Sequence, residues 1–394
     1  MQKFAATARS AVAALRASRI REVANAALGR EDVLPFWFGE PDEVTPAFIR
    51  EAAVEALAQG DTFYRHNLGI PALREALSAY VSGLRAPVKP ERIAVTSSGM
   101  SALALVMQAL LDPGDRVVAL TPSWPNLIEG PKILGARVTT VALDFDRRGW
   151  RLDLDRMLGA ITPATRMVIV NSPNNPTGWA LTAAERDTLL ERCRRYGVWL
   201  VSDDAYERLY YAQPVACAPG FLDAAQADDR IVSTNTFSKS WLMTGWRLGW
   251  IVAPDALLPD LSKLIEYNTS CAPGFVQRAG IVAVQQGEAL IERTRERFRA
   301  ARDFLVAQLA SVPSVEVAAP PAAMYLFFRI AGLSDSLTLC RGLVERGGLG
   351  LAPGIAFGPE GEGFVRWCFA ASDERLADGA ARLRNYLDAA QSNS

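Results

Sequence analysis

The sequence has a single histidine, His66, among its 394 residues. A cage of histidines around a metal ion is therefore impossible within one chain, and a Ser–His–Asp triad would have to use this one residue. We expect the chemistry of this protein to rely on lysine, aspartate, tyrosine, arginine or a bound cofactor, and we predict no metal site.

The sequence is also poor in cysteine and lacks long apolar runs. Its five cysteines are odd in number and show no C-x-x-C spacing, which favours free thiols in a reducing compartment and predicts a cytoplasmic protein. The apolar runs have the length of strands, well short of the roughly 20 residues that cross a membrane. A net charge of −1 gives no reason to expect nucleic acid or anionic membranes as partners.

The first 21 residues carry five basic side chains and no acidic one. A mitochondrial targeting peptide and an amphipathic N-terminal helix both have this composition. Acidic residues follow at once, at Glu22, Glu31 and Asp32, without a linker typical of a cleavage site. We therefore favour the helix.

Short strand-like runs alternate with helical patterns through the middle of the chain. Several runs are apolar throughout, which is typical of a mostly parallel sheet covered on both faces. The predicted strands span residues 92–96, 116–120, 137–143, 166–171, 198–203, 231–236 and 248–253. One intervening helix, over residues 182–196, begins with a capping box made by Thr182 and Glu185. This alternation predicts an α/β domain over residues 46–285, with a seven-stranded, mostly parallel sheet flanked by helices.

From Glu288 onward the pattern changes. A long charged helix, from 288 to about 309, leads to predicted strands at 315–317, 324–330 and 364–370 and to a helix near 337–346. We predict a smaller α+β domain over residues 286–394, joined by residues 1–45 as an N-terminal arm. A cleft between two such domains is where small ligands usually bind.

The segment TFSKSWLMTGWRLGW, residues 236–250, places a lysine just after a predicted strand. The hydroxyl residues Thr236 and Ser238 flank Lys239, and Arg247 lies eight residues further on. A lysine amine attacks carbonyl groups effectively only when its pKa is lowered, while hydroxyls and an arginine together make a phosphate site. Pyridoxal phosphate requires both features. Taken alone, the segment is more simply an ordinary surface lysine in a loop.

Three other segments favour the cofactor interpretation. Asp203 ends a predicted strand, with Tyr206 three residues later, and a carboxylate there can keep a pyridine nitrogen protonated. The turn NSPNNPTG, residues 171–178, follows another strand. The segment VTSSGMSAL, residues 95–103, passes from strand to helix through a Ser-Gly turn whose backbone N–H groups could meet a phosphate. Each is weak by itself, since Asp203 could equally be a helix N-cap.

In this order, the segments resemble the class I and II aminotransferases of the aspartate aminotransferase fold type, known as fold type I. The resemblance covers nearly the whole chain. It implies pyridoxal 5'-phosphate as the cofactor and a ping-pong transfer of an amino group from an L-amino acid to a 2-oxo acid. It further implies that Lys239 forms the Schiff base with the cofactor and moves the α-proton, with Asp203 and Tyr206 completing the catalytic set.

The same resemblance implies binding roles for a larger set of residues. The residues implied for the cofactor are Ser98, Gly99, Met100, Trp124, Asn175, Asp203, Tyr206, Thr236, Ser238, Lys239 and Arg247, together with Tyr64 acting on the cofactor of a partner subunit. The residues implied for the substrate are Gly39, Asn175 and Arg366, with the arginine on the α-carboxylate. Because Tyr64 would reach a partner's site, the resemblance predicts a homodimer with shared active sites.

Two positions differ from relatives that act on dicarboxylic substrates. Met100 stands where some of these relatives carry a lysine, and Glu266 stands where others carry an arginine. An aromatic rim formed by residues 36–38, Met324 and Tyr325 favours an apolar or aromatic donor. The alternative is that these rim residues are core-facing strand residues. The sequence leaves open which of His66, Glu266, Phe38 and Met324 contact the substrate.

A lyase on the same scaffold is the second candidate activity, as a C–S β-lyase, an aminocyclopropanecarboxylate-synthase-like eliminase or a decarboxylase. It would use the same Lys239, Asp203 and Arg247, so the sequence discriminates poorly between the two. Two other patterns carry no function: residues 347–354 lack the spacing of a dinucleotide fingerprint, and the acidic pairs at 144/146 and 153/155 are interpreted as solvated loops.

Overall fold

The computed structural model describes residues 7–212, 215–226 and 228–392 of the chain. These residues form thirteen α-helices and fourteen strands. The helices are α1 (Ser10–Ala13), α2 (Arg19–Asn25), α3 (Ala47–Ala58), α4 (Pro71–Leu84), α5 (Gly99–Leu110), α6 (Asn126–Ile133), α7 (Leu154–Ala160), α8 (Ala183–Tyr196), α9 (Leu258–Asn268), α10 (Gly274–Gln286), α11 (Glu288–Ala310), α12 (Ser336–Gly342) and α13 (Asp373–Ser392). The strands are β1 (Leu34–Pro35), β2 (Ile93–Thr96), β3 (Arg116–Thr121), β4 (Arg137–Asp146), β5 (Gly149–Leu152), β6 (Thr165–Asn171), β7 (Trp199–Asp203), β8 (Ile231–Thr236), β9 (Gly249–Val252), β10 (Val315–Glu316), β11 (Tyr325–Ile330), β12 (Leu349–Gly350), β13 (Ala352–Pro353) and β14 (Phe364–Cys368).

The large sheet has eight strands in the order β2-β9-β8-β7-β6-β3-β4-β5. The five strands from β8 to β4 in this order are mutually parallel, and β9 runs antiparallel to both of its neighbours. All seven predicted strands are present, and each begins within one residue of the expected position. The mostly parallel sheet predicted from the apolar runs is therefore confirmed.

The eighth strand, β5, was not predicted. It forms an antiparallel hairpin with β4 at the edge of the sheet, and only one of its four residues is buried. It therefore lacks the apolar run that marks the central strands. The interpretation of residues 144 and 146 as loop residues is wrong, because both Asp144 and Asp146 lie in β4, paired with Arg156 at 2.6 Å and Arg151 at 2.8 Å.

Both faces of the large sheet are buried. In β6, Val168 and Val170 pack on one face, in a cluster that includes residues of α4, α8 and α10, whereas Met167 and Ile169 pack on the other face against α5 and α9. Alternate residues of one strand thus enter different layers, which explains why the strand sequences are apolar throughout. The result is a helix–sheet–helix sandwich.

The second sheet is antiparallel, in the order β10-β11-β14-β13. The N-terminal strand β1 pairs in parallel with β12, where Leu34 lies opposite Leu349, so the N-terminal segment is joined to the C-terminal part. The two sheets meet where Arg366 of β14 donates a hydrogen bond to Asn175, which follows β6. The domain limits at residues 45 and 285 stay a prediction.

The N-terminal segment does not form the one continuous helix that was predicted. Residues 1–6 lie outside the described part, and α1 and α2 are separated by residues 14–18. The second helix is amphipathic and buries Ile20 and Val23. The capping box of α8 is confirmed, since Thr182 Oγ1 accepts from Glu185 N at 3.2 Å and the Glu185 carboxylate accepts from Thr182 N at 2.8 Å. In the described ranges, no helix combines the length and the apolar character that crossing a membrane would need.

Candidate active site

The predicted site residues gather at one edge of the large sheet. The parallel strands β6, β7 and β8 end there at Asn171, Asp203 and Thr236, which lie in register with one another or close to it. The carboxyl ends of such strands are where open α/β sheets bind ligands, because the following loops and helices leave a crevice. The crevice is lined from the other side by residues of the N-terminal segment, β11 and β14.

The crevice contains a cavity of about 490 Å³, a size typical of small-molecule sites. Its lining residues are Ser18, Ile20, Arg21, Phe38, Gly39, Gly99, Met100, Leu103, Trp124, Asn126, Asn171, Asn175, Asp203, Ala205, Tyr206, Asn235, Thr236, Ser238, Lys239, Arg247, Tyr325 and Arg366. Four of these carry a positive charge when ionised, and one, Asp203, is acidic. The cavity is therefore suited to anionic ligands.

Lys239 follows β8 and presents its amine to the cavity. Its Nζ donates a hydrogen bond to the carbonyl of Gly39 and lies 5.8 Å from the ring centroid of Tyr206. Burial lowers the pKa of Lys239 to about 8, because desolvation disfavours the ammonium form. Roughly a tenth of the amine is therefore neutral, and so nucleophilic and basic, at pH 7, far more than for an ordinary lysine.

Asp203 is a buried carboxylate without a cationic partner among the described residues. Its side chain accepts one hydrogen bond there, from Ala205 N at 3.3 Å. Burial raises the pKa of Asp203 to about 7, and the neighbouring Asp204 adds to this effect. A buried carboxylate of this kind gains much from a cation brought in by a ligand.

Tyr206 and Tyr325 share a hydrogen bond between their hydroxyl groups at 2.8 Å. Their rings meet edge to face, with centroids 5.6 Å apart. Burial raises the pKa of Tyr325 to about 12 and raises the pKa of Tyr206 as well, so both phenols keep their protons at neutral pH. The pair holds one proton between the two oxygens and leaves the other available to a ligand.

A cradle of hydroxyl and backbone groups surrounds the N-terminus of α5. Ser98 has a positive φ of 145° and caps the helix, with its Oγ accepting from Ser101 N at 2.9 Å. Thr236 Oγ1 donates to Ser238 Oγ at 2.8 Å. Arg247 closes the cradle from a left-handed backbone conformation, with φ 55°. Backbone N–H groups, hydroxyls and a guanidinium at a helix N-terminus form a donor set that binds phosphate.

The cradle depends on a close approach between two backbones. Gly249 of β9 lies opposite both Thr96 and Thr236 in the sheet. A Cβ atom at Gly249 would stand 2.5 Å from Gly99 N, so no other residue fits without moving α5. The strand that separates β2 from β8 thus brings their carboxyl ends together around one pocket.

Arg366, on β14, is buried and lines the same cavity. Its Nη1 donates to Asn175 Oδ1 at 2.7 Å and its Nη2 to the carbonyl of Trp37, while Nε has no partner among the described residues. The guanidinium lies 4.4 Å from the ring centroid of Tyr325. It is thus fixed on two sides and keeps hydrogen-bonding capacity for a carboxylate.

Gly39 also lines the cavity, next to Tyr325. A Cβ atom there would lie 1.7 Å from the Tyr325 hydroxyl oxygen, so a glycine is required for the tyrosine to reach Tyr206. The carbonyl of Gly39 also receives the hydrogen bond from Lys239. One backbone segment therefore positions both the amine and the tyrosine pair.

Most of the residues proposed from the sequence line this one cavity. They are Gly39, Gly99, Met100, Trp124, Asn175, Asp203, Tyr206, Thr236, Ser238, Lys239, Arg247 and Arg366. Ser98 lies buried directly behind Gly99, as the cap of α5. Tyr64 is not part of the cavity: its side chain is 88% exposed on the surface of the chain.

The aromatic rim predicted around the substrate is only partly present. Phe38 and Tyr325 line the cavity, but Phe36 is buried against Trp367 and Met324 is buried in the core. Trp37 is buried as well, against Gly350. For these three residues the core-facing alternative is the right one.

The other residues left open by the sequence lie outside the cavity. His66 is exposed, and its Nδ1 accepts a hydrogen bond from Leu68 N at 3.2 Å. Glu266 is exposed on α9. Neither lines the cavity in this chain.

Sequence reasoning missed several lining residues. Asn235 precedes Thr236 in β8, and its side chain donates to Glu207 at 2.7 Å below the cradle. Asn126 donates to the sulfur of Met100 at 2.9 Å. Arg21 comes from α2, more than 200 residues away from Lys239 in the sequence. No local pattern marks Arg21, because only the tertiary fold brings it to the cavity.

The geometry defines a small-molecule site built around a lysine, a buried carboxylate and a phosphate cradle, and comparisons with known proteins agree with it. The family described as aminotransferase class I and II matches residues 31–383. The aspartate aminotransferase of Pyrococcus horikoshii is 33% identical over 378 residues, which cover 95% of each chain.

Solved structures give the same result. The aspartate aminotransferase from Thermus thermophilus with maleate is 32% identical, with a TM-score of 0.88, and the match covers 98% of this chain and 100% of that one. The aromatic aminotransferase from Pyrococcus horikoshii is 28% identical, with a TM-score of 0.86, over 94% of this chain and 99% of that one. The chain therefore belongs to the class I and II aminotransferase family and is a transaminase. The lyase alternative is not favoured, and membership of the family implies pyridoxal phosphate as cofactor.

Proposed function

We propose that this protein holds pyridoxal 5'-phosphate in the cavity and uses it to move an amino group from an L-amino acid to a 2-oxo acid. The observation that carries the proposal is the convergence of Lys239, Asp203 and Arg366 on one cavity beside the cradle at α5. Each of these three side chains would interact with a particular group of the cofactor or of the substrate.

The residues present fit the proposed cofactor. The buried Asp203 carboxylate forms no ion pair among the described residues, although the charge of Lys239 acts on it, and a protonated ring nitrogen would supply a direct partner. Thr236, Ser238 and Arg247, with the N-terminus of α5, form a donor set suited to the phosphate. The hydroxyl of Tyr206 and the amide of Asn175 would hold the ring oxygen. These roles rest on the donor chemistry and on the family resemblance.

The proposed cofactor supplies an aldehyde carbon that joins to amines and a ring that accepts electrons. The chain supplies binding and proton transfer. Arg366 binds the α-carboxylate of the donor, and Asn175 holds the guanidinium in place through a 2.7 Å hydrogen bond. The neutral amine of Lys239 would take the proton from the donor's α-carbon and later return it to the carbon that the cofactor's aldehyde contributes.

The proposal extends to the organisation of the protein. Residues 46–285 would hold the cofactor, while residues 286–394 and the arm of residues 1–45 supply Arg366 and Gly39 from across the cleft. The five cysteines are unpaired, which supports a reducing compartment such as the cytoplasm.

We also propose a homodimer with shared sites. Large apolar side chains stand exposed on the chain surface, among them Phe63 at 76%, Tyr64 at 88% and Tyr267 at 89%. Phe63 and Tyr64 are neighbours in the sequence, and exposed apolar side chains favour a protein–protein contact where they form a contiguous patch. Tyr64 would then reach the phosphate of the partner subunit's cofactor, as the family resemblance implies.

An absorbance titration of the cofactor-loaded protein against a panel of amino acids tests the activity. Transamination predicts that the long-wavelength band of the bound cofactor is lost with one class of amino acid, that one equivalent of 2-oxo acid forms per site and that no ammonia appears. Lys239→Ala should abolish the change, and Lys263→Ala, at an exposed lysine, should not. Accumulation of ammonia or carbon dioxide, with the long-wavelength band retained, would overturn transamination in favour of a lyase.

A further inference from the structure

The cavity is lined by four positively charged side chains, and the proposed function assigns a role to three of them. Lys239, Arg247 and Arg366 have roles toward the amine, the phosphate and the α-carboxylate under the proposed function. Arg21 lines the same cavity and has no role in that scheme. Among the lining residues the one acidic side chain is Asp203, which is buried deep in the site. A fourth cation therefore faces the cavity without an anion to match it.

Arg21 is held at the cavity by its helix and by an aromatic ring. Ser18 caps α2, with its Oγ accepting from Arg21 N at 3.3 Å, and Val23 anchors the helix in the core. The guanidinium of Arg21 lies 4.6 Å from the ring centroid of Phe38, which itself lines the cavity. A cation–π contact of this kind orients the guanidinium without using its N–H donors.

The donors of Arg21 are free within the described part of the chain, where its side chain makes no hydrogen bond or ion pair. The neighbouring arginine on the same helix is different: Arg19 is paired with Glu22 at 2.7 Å. Glu22 is also approached by Arg341, at 3.6 Å. The acidic residue closest in sequence is thus already engaged with other cations, and the solvent-exposed Arg21 is free to bind an anion that enters the cavity.

The substrate is the obvious source of that anion. A planar guanidinium matches a carboxylate through two parallel hydrogen bonds, and such charge-assisted bonds are the stronger ones. The α-carboxylate is already assigned to Arg366, so an anion at Arg21 has to come from the substrate side chain. The two sequence positions that supply a cation for this purpose in some relatives hold Met100 and Glu266 here.

We propose, on the basis of the function proposed above, that Arg21 binds a second carboxylate at the far end of the substrate side chain. The preferred donors and acceptors would then be dicarboxylic amino acids and their 2-oxo acids. Phe38 would contact the carbon chain between the two carboxylates and hold Arg21 over it. This substrate class differs from the apolar or aromatic donors favoured by the sequence. Two of the aromatic residues that supported those donors, Phe36 and Trp37, are buried in the core.

Binding of unreactive carboxylates tests the proposal without turnover. The cofactor-loaded protein is titrated by calorimetry with succinate and glutarate, and in parallel with butyrate and valerate, which have the same lengths and one carboxylate less. The wild-type protein should bind the dicarboxylates more tightly. Arg21→Gln should weaken dicarboxylate binding by about 10- to 100-fold, as expected for the loss of a charge-assisted pair, and leave monocarboxylate binding within about twofold.

Two further variants separate a specific contact from a change in structure. Arg21→Lys keeps the charge but not the two-point geometry and should retain part of the dicarboxylate affinity. Arg19→Gln removes an arginine two residues away on the same helix and should change neither class of ligand. In turnover, Arg21→Gln should raise KM for dicarboxylic donors by a larger factor than KM for apolar donors.

The outcomes distinguish this proposal from the proposed function. Equal affinity of the wild-type protein for both ligand classes, or an equal loss of both in Arg21→Gln, overturns the role of Arg21. Transamination of apolar or aromatic donors alone also overturns it and leaves the transaminase activity intact. If the loaded protein transaminates no amino acid of any class, the proposed function itself fails.

Discussion

At the scale of single residues, the reactivity of Lys239 follows from where its amine is kept. Burial is the largest influence on its pKa, and the nearby guanidinium groups of Arg366 and Arg247 act in the same direction. Cys368 and Glu40 oppose them. The net effect is a pKa of about 8, so the fold makes the amine easier to deprotonate before any ligand arrives.

This effect can be measured in the cofactor-free protein. With ¹³C-labelled methyl groups on the lysines, of which the chain has five, the signal of Lys239 should titrate with a midpoint near pH 8. Lys239→Arg identifies the signal by removing it. Lys263 is the internal control, because the adjacent Asp260 raises its pKa above the ordinary value. A midpoint for Lys239 above pH 10 would contradict the argument.

The buried carboxylate of Asp203 lowers the free energy of unfolding of the cofactor-free protein. Its pKa is raised by burial from an ordinary value of 3.8 to about 7, so the folded state holds the proton more tightly than the unfolded state. Below about pH 4 both states are protonated and the group has no effect. Between pH 4 and 7 the unfolded state loses its proton first, and the folded state becomes progressively less favoured. Above pH 7 the full penalty remains.

Asp203→Asn should remove this penalty. The variant should match the wild-type, cofactor-free protein near pH 4 and exceed its free energy of unfolding above pH 7, by on the order of 4 kcal/mol. Urea unfolding at a series of pH values measures the difference. Asp260→Asn, at an exposed carboxylate, should show a difference that stays within about 0.5 kcal/mol. A gap between Asp203→Asn and wild type that does not grow with pH would contradict the prediction. Cofactor affinity should fall in the same variant, because the carboxylate is lost.

At the scale of elements, the strands β6, β7 and β8 carry the site, and their sequences predict it. The runs of β6 and β7 are apolar on both faces for most of their length, β8 begins with two apolar residues, and all three strands end in a polar residue. A parallel sheet with polar groups along one edge therefore follows from the sequence alone. The edge hairpin β5 does not follow, because its residues are mostly exposed. The contribution of α2 does not follow either: the side chain of Arg21 reaches the cavity only because Ile20 and Val23 anchor a short helix far along the chain from Lys239.

A buried ion pair links α4 to the strands below the cradle. Arg85, just past the end of α4, donates to Glu207 at 2.7 Å and to Asp223 at 2.8 Å. Glu207 also accepts from Asn235, whose Oδ1 accepts from Thr236 N at 2.7 Å. Hydrogen bonds and ion pairs therefore connect Arg85, at the end of α4, to Thr236, which is one of the residues that form the cradle.

Replacing Arg85 with methionine should destabilise the fold by about 3–5 kcal/mol, because it leaves the Glu207 carboxylate buried without its cation. The free energy of unfolding in urea is the measurement. Arg195→Met provides the comparison, since Arg195 forms an exposed pair with Glu191 at 3.3 Å and should change stability by less than about 0.5 kcal/mol. A similar decrease in the free energy of unfolding in the two variants would contradict the prediction that the buried pair stabilises the fold more than the exposed pair does.

At the scale of the whole molecule, the position of Tyr64 is the feature that one chain does not explain. The side chain of Tyr64 is 88% exposed, so its ring makes few apolar contacts within the chain. A second chain covering it would recover this area and would bring the hydroxyl to the partner's cavity. The proposed homodimer thus accounts for the exposure of Tyr64, and the contact of Tyr64 with the partner's phosphate remains what the family resemblance implies.

Mixed dimers test this arrangement directly. Lys239→Ala chains lack the amine, and Tyr64→Phe chains should bind the cofactor weakly in the partner's site. In a dimer with one chain of each kind, the cavity of the Tyr64→Phe chain has its own Lys239 and receives an intact Tyr64 from the partner. The cavity of the Lys239→Ala chain carries both defects, because it lacks the amine and receives a phenylalanine from the partner in place of Tyr64. Random pairing of equal amounts makes half of the dimers mixed, each with one intact site of two, so about a quarter of wild-type activity should return at limiting cofactor. Tyr267→Phe, at a second exposed tyrosine, should need no such rescue. If Tyr64 acted within its own chain, neither cavity of the mixed dimer would be intact, and co-expression would restore no activity beyond that of the Tyr64→Phe protein.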